Sequence, residues 1–130
     1  MNKKITLVEN KTLKRHERIQ KKHLFKLLGD IREDGMIREP IIVDKNTMII
    51  LDGHHRSTAV KYLRLRLIPV YFVDYASEEI RVECWRVGEE ITKKQVLHAG
   101  KTGKLLRPKT SRHEIPHKPM HINISLEKLR

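Results

Sequence analysis

Cysteine occurs once in these 130 residues, at Cys84. A lone thiol excludes an internal disulfide framework and suggests a reducing compartment. Long apolar runs are also missing, so no segment is expected to span a membrane. Met1-Asn2-Lys3-Lys4-Ile5-Thr6 lacks a secretory apolar stretch, and a cytoplasmic location is the expectation. Amide side chains are scarce: Asn2, Asn10, Asn46, Asn123, Gln20 and Gln95. No internal repeat and no low-complexity segment occurs. The length suits one domain, residues 1–130, with a modest core that needs neither disulfide nor structural metal.

Charge is abundant. Lys and Arg number 28 against 16 Asp and Glu, a formal net charge of +12, and charged residues make up 34% of the chain. Such a balance attracts polyanions, so nucleic acid is a possible partner. The cations are scattered from Lys3 to Arg130 rather than gathered in a tail. Many charges with few labile amides is also the composition of heat-adapted proteins. Charge alone leaves both explanations open.

Hydrophobic spacing predicts a short edge strand at 5–8 and a helix over 17–33, with Leu24, Leu27, Leu28 and Ile31 on one face and Asp34-Gly35 as its stop. Residues 40–43 and 48–51 read as two arms of a hairpin joined by Asp44-Lys45-Asn46-Thr47. A helix is expected from Ser57 to Leu67, burying Ala59, Val60, Leu63 and Leu67, then a strand over 68–73. Ile80, Val82 and Cys84 alternate with Arg81, Glu83 and Trp85 in another strand. Thr92 to Gln95 fits a capping box, opening a helix that stops before Gly103. Residues 105–119 look irregular, 122–124 form a last strand, and Ser125 caps a terminal helical turn. The expected fold class is α+β: one compact domain with a small mixed sheet and flanking helices.

Asp52-Gly53-His54-His55-Arg56 lies where a strand turns into a helix. The first N–H groups of a helix lack partners, and together with the dipole they favour an anion such as phosphate. Gly53 would let backbone approach a phosphate closely. Arg56 can grip phosphate oxygens, and an arginine in a first helical turn opposes the dipole unless an anion offsets it. Asp52 could orient a histidine or hold a water of Mg²⁺. Glu17, in Lys14-Arg15-His16-Glu17, could be a general base, although residue chemistry by itself favours a plain charge in the first helical turn. Arg107-Pro108-Lys109-Thr110-Ser111-Arg112-His113 combines cations with two hydroxyls, suiting a phosphate clamp or an RNA-facing patch.

His113-Glu114-Ile115-Pro116-His117 matches the helical zinc-protease pattern H-E-x-x-H. Pro116 inside that helix would cost ~3 kcal/mol, so the metalloprotease reading is rejected. Trp85 could wall a ligand pocket or pack under a loop. Cys84 belongs to an apolar face and is expected to be an inert core thiol.

The hairpin, the Asp52–Arg56 turn and the helix after it resemble the ParB-like/sulfiredoxin fold, and within it the archaeal free serine kinases. The resemblance runs over nearly the whole chain through ordered pieces: His16-Glu17, Pro40, Asp52 to Arg56, Trp85, and Pro108 to His113. It implies transfer of the terminal phosphate of ATP or ADP, with Mg²⁺, to the hydroxyl of free L-serine. The product would be O-phospho-L-serine, a precursor for cysteine synthesis. Glu17 then becomes the catalytic base, with His55 as a second catalytic group. Asp52, Gly53, His54, His55, Arg56, Lys109 and Thr110 would hold nucleotide and phosphate. Trp85, Ser111, Arg112 and His113 would bind serine. No residue is assigned directly to the metal, apart from Asp52 as a candidate. His23 stands where some of these kinases carry an acidic side chain.

The alternative is a ParB-like nucleotide-binding or DNA-associated module without kinase activity. Such modules usually continue into a helix-turn-helix segment, which these residues do not contain, so nucleic acid is not the favoured partner. Sulfiredoxin-type reduction needs a cysteine in the turn, where this chain has His54 and His55.

Overall fold

The computed structural model describes residues 4–130; the reading of Met1-Asn2-Lys3 lies outside them. The run Ile41-Ile42-Val43 belongs to a central strand, and central position explains why it is continuously apolar rather than alternating. Strand β3 (Ile41–Asp44) pairs in parallel with β5 (Leu67–Val73) and antiparallel with β4 (Ile50–Asp52). Strand β1 (Thr6–Glu9) closes the other edge, antiparallel to β5, for an order β1-β5-β3-β4. Two small ribbons complete the strands: β2 (Met36–Ile37) with β8 (Ile124–Ser125), and β6 (Arg81–Cys84) with β7 (Ser111–Glu114).

Each face of the sheet has its own core. Ile41, Val43, Ile50, Ile68 and Val70 pack under Leu24, Leu28 and Ile31 of α1 (Lys21–Asp34) and Ala59 and Val60 of α2 (His54–Tyr62). On the other face Ile42 and Leu51 meet Tyr75, Ile80, Ile91 and Val96, the last from α3 (Lys93–Thr102). The α+β class with a small mixed sheet and flanking helices agrees with the expectation. No helix among the described residues is long and apolar enough to cross a membrane.

Helix α3 has the expected caps. Gln95 N–H donates to Thr92 Oγ1, Thr92 N–H returns to Gln95 Oε1, and Gly103 ends the helix at φ 76°. Three other elements differ. The first helix begins at Lys21, not Glu17, because residues 14–18 are taken by pairing. Lys14 N–H donates to Met48 O at 2.9 Å, and Arg18 N–H to Leu106 O at 2.8 Å. Helix α2 stops at Tyr62; Arg64 turns left-handed at φ 56°, and Leu67 joins β5 opposite Glu9. Within the stretch expected to be irregular, Ser111–Glu114 forms β7 against β6.

Candidate active site

Strand β4 ends at Asp52, and Gly53 starts α2 with φ 107°, a conformation that L side chains rarely adopt. A Cβ built there would sit 2.8 Å from Ile41 Cβ. Glycine is therefore required by the packing of β3 as well as by backbone angle. Gly53 offers no side-chain cap, and no acidic residue lies in the first turn of α2. The same holds for α1, whose N-cap is Gln20. The two helix starts meet: Gln20 N–H donates to His55 Nε2 at 2.9 Å, and the His23 and His55 rings lie 4.2 Å apart. Two positive dipole ends thus converge with little local negative charge to offset them.

Because Gln20 N–H can only donate, His55 Nε2 accepts and its ring proton lies on Nδ1. Burial lowers the His55 pKa, helped by His23 and the Lys109 charge, so the ring is a neutral donor at neutral pH. His54 is turned inward instead. Its Nε2 accepts from the His16 backbone N–H at 3.2 Å, and burial holds it well below the ordinary histidine range. Its ring therefore positions the segment around His16, ahead of α1. Arg56, expected to grip phosphate, also has partners within the chain. Its Nη1 donates to Pro40 O at 3.2 Å and its Nη2 lies 3.8 Å from Glu39 Oε2. Glu39 thus offsets part of its charge. Asp52 is exposed, with Lys118 Nζ 3.8 Å from Oδ2.

Glu17 precedes α1 and reaches across the fold. Its Oε1 accepts from Thr110 N–H at 3.1 Å and Ser111 N–H at 2.8 Å, with Ser111 Oγ at 2.9 Å. Burial raises its pKa, against hydrogen bonds from Ser111, Thr110 and the Lys109 backbone that lower it. The loop carrying these donors is itself fixed. Thr110 Oγ1 donates to Arg107 O at 2.6 Å, and Arg86 Nη2 to Pro108 O at 2.9 Å. Lys109 is exposed at the bend with φ 55°. Lys109 therefore joins the two halves of the site: its backbone bears on Glu17 and its charge on His55.

Behind Glu17, His16 is fully buried. Its Nδ1 lies 2.6 Å from Ile50 O and its Nε2 2.8 Å from Ser111 Oγ. His113 packs edge-on to it, ring centroids 5.9 Å apart, and meets Tyr75 Oη at 2.8 Å. Strand alternation divides the residues grouped as serine-binding. Ser111 and His113 face inward, whereas Arg112 lies outside with Glu83, Glu114 and Trp85. The Arg112 guanidinium sits 5.2 Å from the Trp85 ring centre, and Trp85 is 58% exposed. Neither belongs to the Glu17 cluster. Cys84 faces the second core, as expected of a packing thiol.

A cavity of about 640 Å³ lies apart from these groups, between residues 10–19 and α2; Asn10, Leu13, Arg15, Ile19, Thr58 and Tyr62 line it, and neither Glu17, His55 nor the Lys109–Ser111 loop is part of its wall. Among the described residues no group of three His, Cys, Asp or Glu side chains converges to hold a metal ion. The solitary exposed carboxylate of Asp52 fits a Mg²⁺ that takes its other ligands from phosphate oxygens and water. His113 and Glu114 lie in a strand, which removes the geometry a zinc-protease helix would need. Gln20 and Tyr75 are site residues that the sequence did not suggest, and nothing in it gave His16 a role of its own. Ser111 for His16, His55 for Gln20 and His113 for Tyr75 lie 35 to 95 residues away, so no local pattern marks them.

A free serine kinase solved in complex with AMP superposes on this structure with a TM-score of 0.88, at 18% identity, over 97% of this chain and 93% of that one. The chain has the fold of the free serine kinases. No protein-family model matches it. In sequence it is 40% identical over 84 residues to a ParB-like protein of Sulfolobus acidocaldarius, a match that spans 65% of this chain and 42% of that protein. It is 35% identical over 86 residues to an ATP-dependent L-serine kinase of Desulfurococcus mucosus, spanning 63% of this chain and 34% of that enzyme. These matches cover well under half the length of the curated relatives.

Proposed function

We propose that this protein is a free L-serine kinase, a phosphotransferase that moves the terminal phosphate of ATP or ADP to the serine hydroxyl and yields O-phospho-L-serine. The observation that carries the reading is Glu17. It is a half-buried carboxylate with raised pKa, held by the Lys109–Ser111 loop next to two uncapped helix starts. A base, an anion cradle and a cation in one place are what phosphoryl transfer requires, since its catalysis is mainly positioning and charge neutralisation.

Glu17 takes the hydroxyl proton through Oε2, because Oε1 is committed to its three donors. The serine oxygen bonds to phosphorus as the bond to the leaving nucleotide breaks. The first-turn N–H groups of α1 and α2, His55 Nδ1–H and the Lys109 ammonium stabilise the transferring group. Asp52 would hold Mg²⁺, which when bound neutralises charge on the phosphates. Incubation with L-serine, Mg²⁺ and either ATP or ADP should produce phosphoserine, detectable by phosphorus NMR. Glu17→Gln should lower kcat by about 10²-fold or more. Wild-type-like turnover by that variant would remove Glu17 as the base, and absence of phosphoserine with both donors would overturn the reading.

A further inference from the structure

Ser111 has one hydroxyl proton and two acceptors. Its Oγ lies 2.9 Å from Glu17 Oε1 and 2.8 Å from His16 Nε2. The Ile50 carbonyl, 2.6 Å from His16 Nδ1, can only accept, so a neutral His16 ring carries its proton on Nδ1 and offers Nε2 as a lone pair. Glu17 Oε1 already receives two backbone N–H groups and is an acceptor too. The hydroxyl satisfies one of these partners at a time.

We propose that the Ser111 hydroxyl is a two-position switch that sets the basicity of Glu17, donating to Glu17 while it is a carboxylate and turning to His16 once Glu17 is protonated. The inference rests on the reading of Glu17 as the base. During transfer the serine proton goes to Glu17 Oε2, the serine oxygen forms the new P–O bond, and the electron pair of the broken bond leaves with the nucleotide. Ser111 keeps its own proton and only rotates about Cβ–Oγ. A protonated carboxyl is a poorer acceptor than a carboxylate, whereas the imidazole lone pair is unchanged. The hydrogen bond lost at Glu17 is therefore replaced at His16, and proton uptake by Glu17 is easier than it would be without that histidine. His16 and Ser111 act as positioning residues.

The groups facing this chain are His54 and His113, with rings 4.5 and 5.9 Å from His16. Tyr75 bonds His113, Arg15 and Lys93 bear on His54 and His113, and the Lys109 backbone bears on Glu17. Burial holds His16 down at about 4 and His113 at about 3, and keeps His54 well below its ordinary range. Burial raises Glu17 above its ordinary value, so on acidification Glu17 takes up its proton ahead of His16 and His113.

The test reads the protonation midpoint of Glu17 by carbon NMR on the full chain labelled at glutamate side chains, without nucleotide. Ser111→Ala removes the donor and should raise the midpoint. His16→Asn keeps a donor toward Ile50 but removes the Nε2 acceptor, leaves Ser111 on Glu17, and should lower it. Each shift should be about half a pH unit or more, and Ser111→Thr should restore the wild-type value. In unmodified protein the nitrogen resonance of His16 Nε2 should move at the Glu17 midpoint, which keeps the test decisive where a variant fails to fold. Shifts of the same sign, or an Nε2 resonance indifferent to Glu17, would overturn the switch. If the shifts appear in a protein that makes no phosphoserine, the switch stands and the kinase reading fails. If phosphoserine forms without the shifts, the kinase stands and the switch fails.

Discussion

His16, His54 and His113 are packed against one another in the interior, and burial lowers all three pKa values. An unfolded chain protonates each near the ordinary 6.5, whereas the folded protein resists until about 4 for His16 and about 3 for His113. Between those limits the unfolded state binds more protons, so stability rises with pH and is lost as pH falls. For His16 the loss on reaching its folded midpoint is on the order of 3 kcal/mol. Scanning calorimetry from pH 7 down to 4.5 should find Tm falling by several degrees, with His16→Asn showing a shallower slope. A flat Tm over that range would mean that these imidazoles accept protons inside the fold. Residue types at the site were legible in the sequence, orientations were not. The Lys109–Ser111 loop could be named from its chemistry, whereas Glu17 stood out as a base only through the family resemblance. That His54 turns inward and Arg56 toward Glu39 depends on partners brought close only by folding.

At the scale of elements, the turn from β4 into α2 is the tightest constraint on the site, because Gly53 must hold φ 107° while touching Ile41 of β3. Gly53→Ala should destabilise by about 2–4 kcal/mol, combining left-handed strain with overpacking. Gly103→Ala supplies the control: φ there is 76°, but a Cβ would meet nothing within 4 Å, so only strain remains. Chemical denaturation that found equal losses at both positions would show that the Ile41 contact is not limiting. The same contrast between local and distant partners separates the elements that the sequence reveals from those it hides. Helix α3 was legible because its capping box and its terminal glycine are both local signals. The start of α1 was not, because residues 14–18 are recruited by Met48, Ile50 and Leu106. Strand β7 was hidden for a similar reason. Ser-Arg-His-Glu has no apolar alternation, and its pairing comes from β6, on the far side of α3 in the chain.

For the whole molecule, the question is what a net charge of +12 is for. The described ion pairs leave most Lys and Arg side chains facing solvent, and a positive surface draws any polyanion toward it whatever the function. The nucleotide and nucleic-acid readings therefore diverge only in how binding responds to salt and sequence. A nucleotide held at the two helix starts, as proposed, would be fixed by directed N–H groups, His55 and Lys109, a small number of contacts within one cradle. A duplex held by scattered lysines depends on counterion release, which weakens binding roughly 10³-fold or more between 50 and 200 mM salt when several phosphates are contacted. Fluorescence anisotropy with a labelled duplex should therefore give binding that collapses over this range and ignores base sequence. Affinity for ADP or ATP, measured by calorimetry, should fall far less over the same range. Sequence-selective DNA binding that survives 200 mM salt would favour the ParB-like alternative, with the helix starts then serving a nucleotide switch instead of a phosphate in transit.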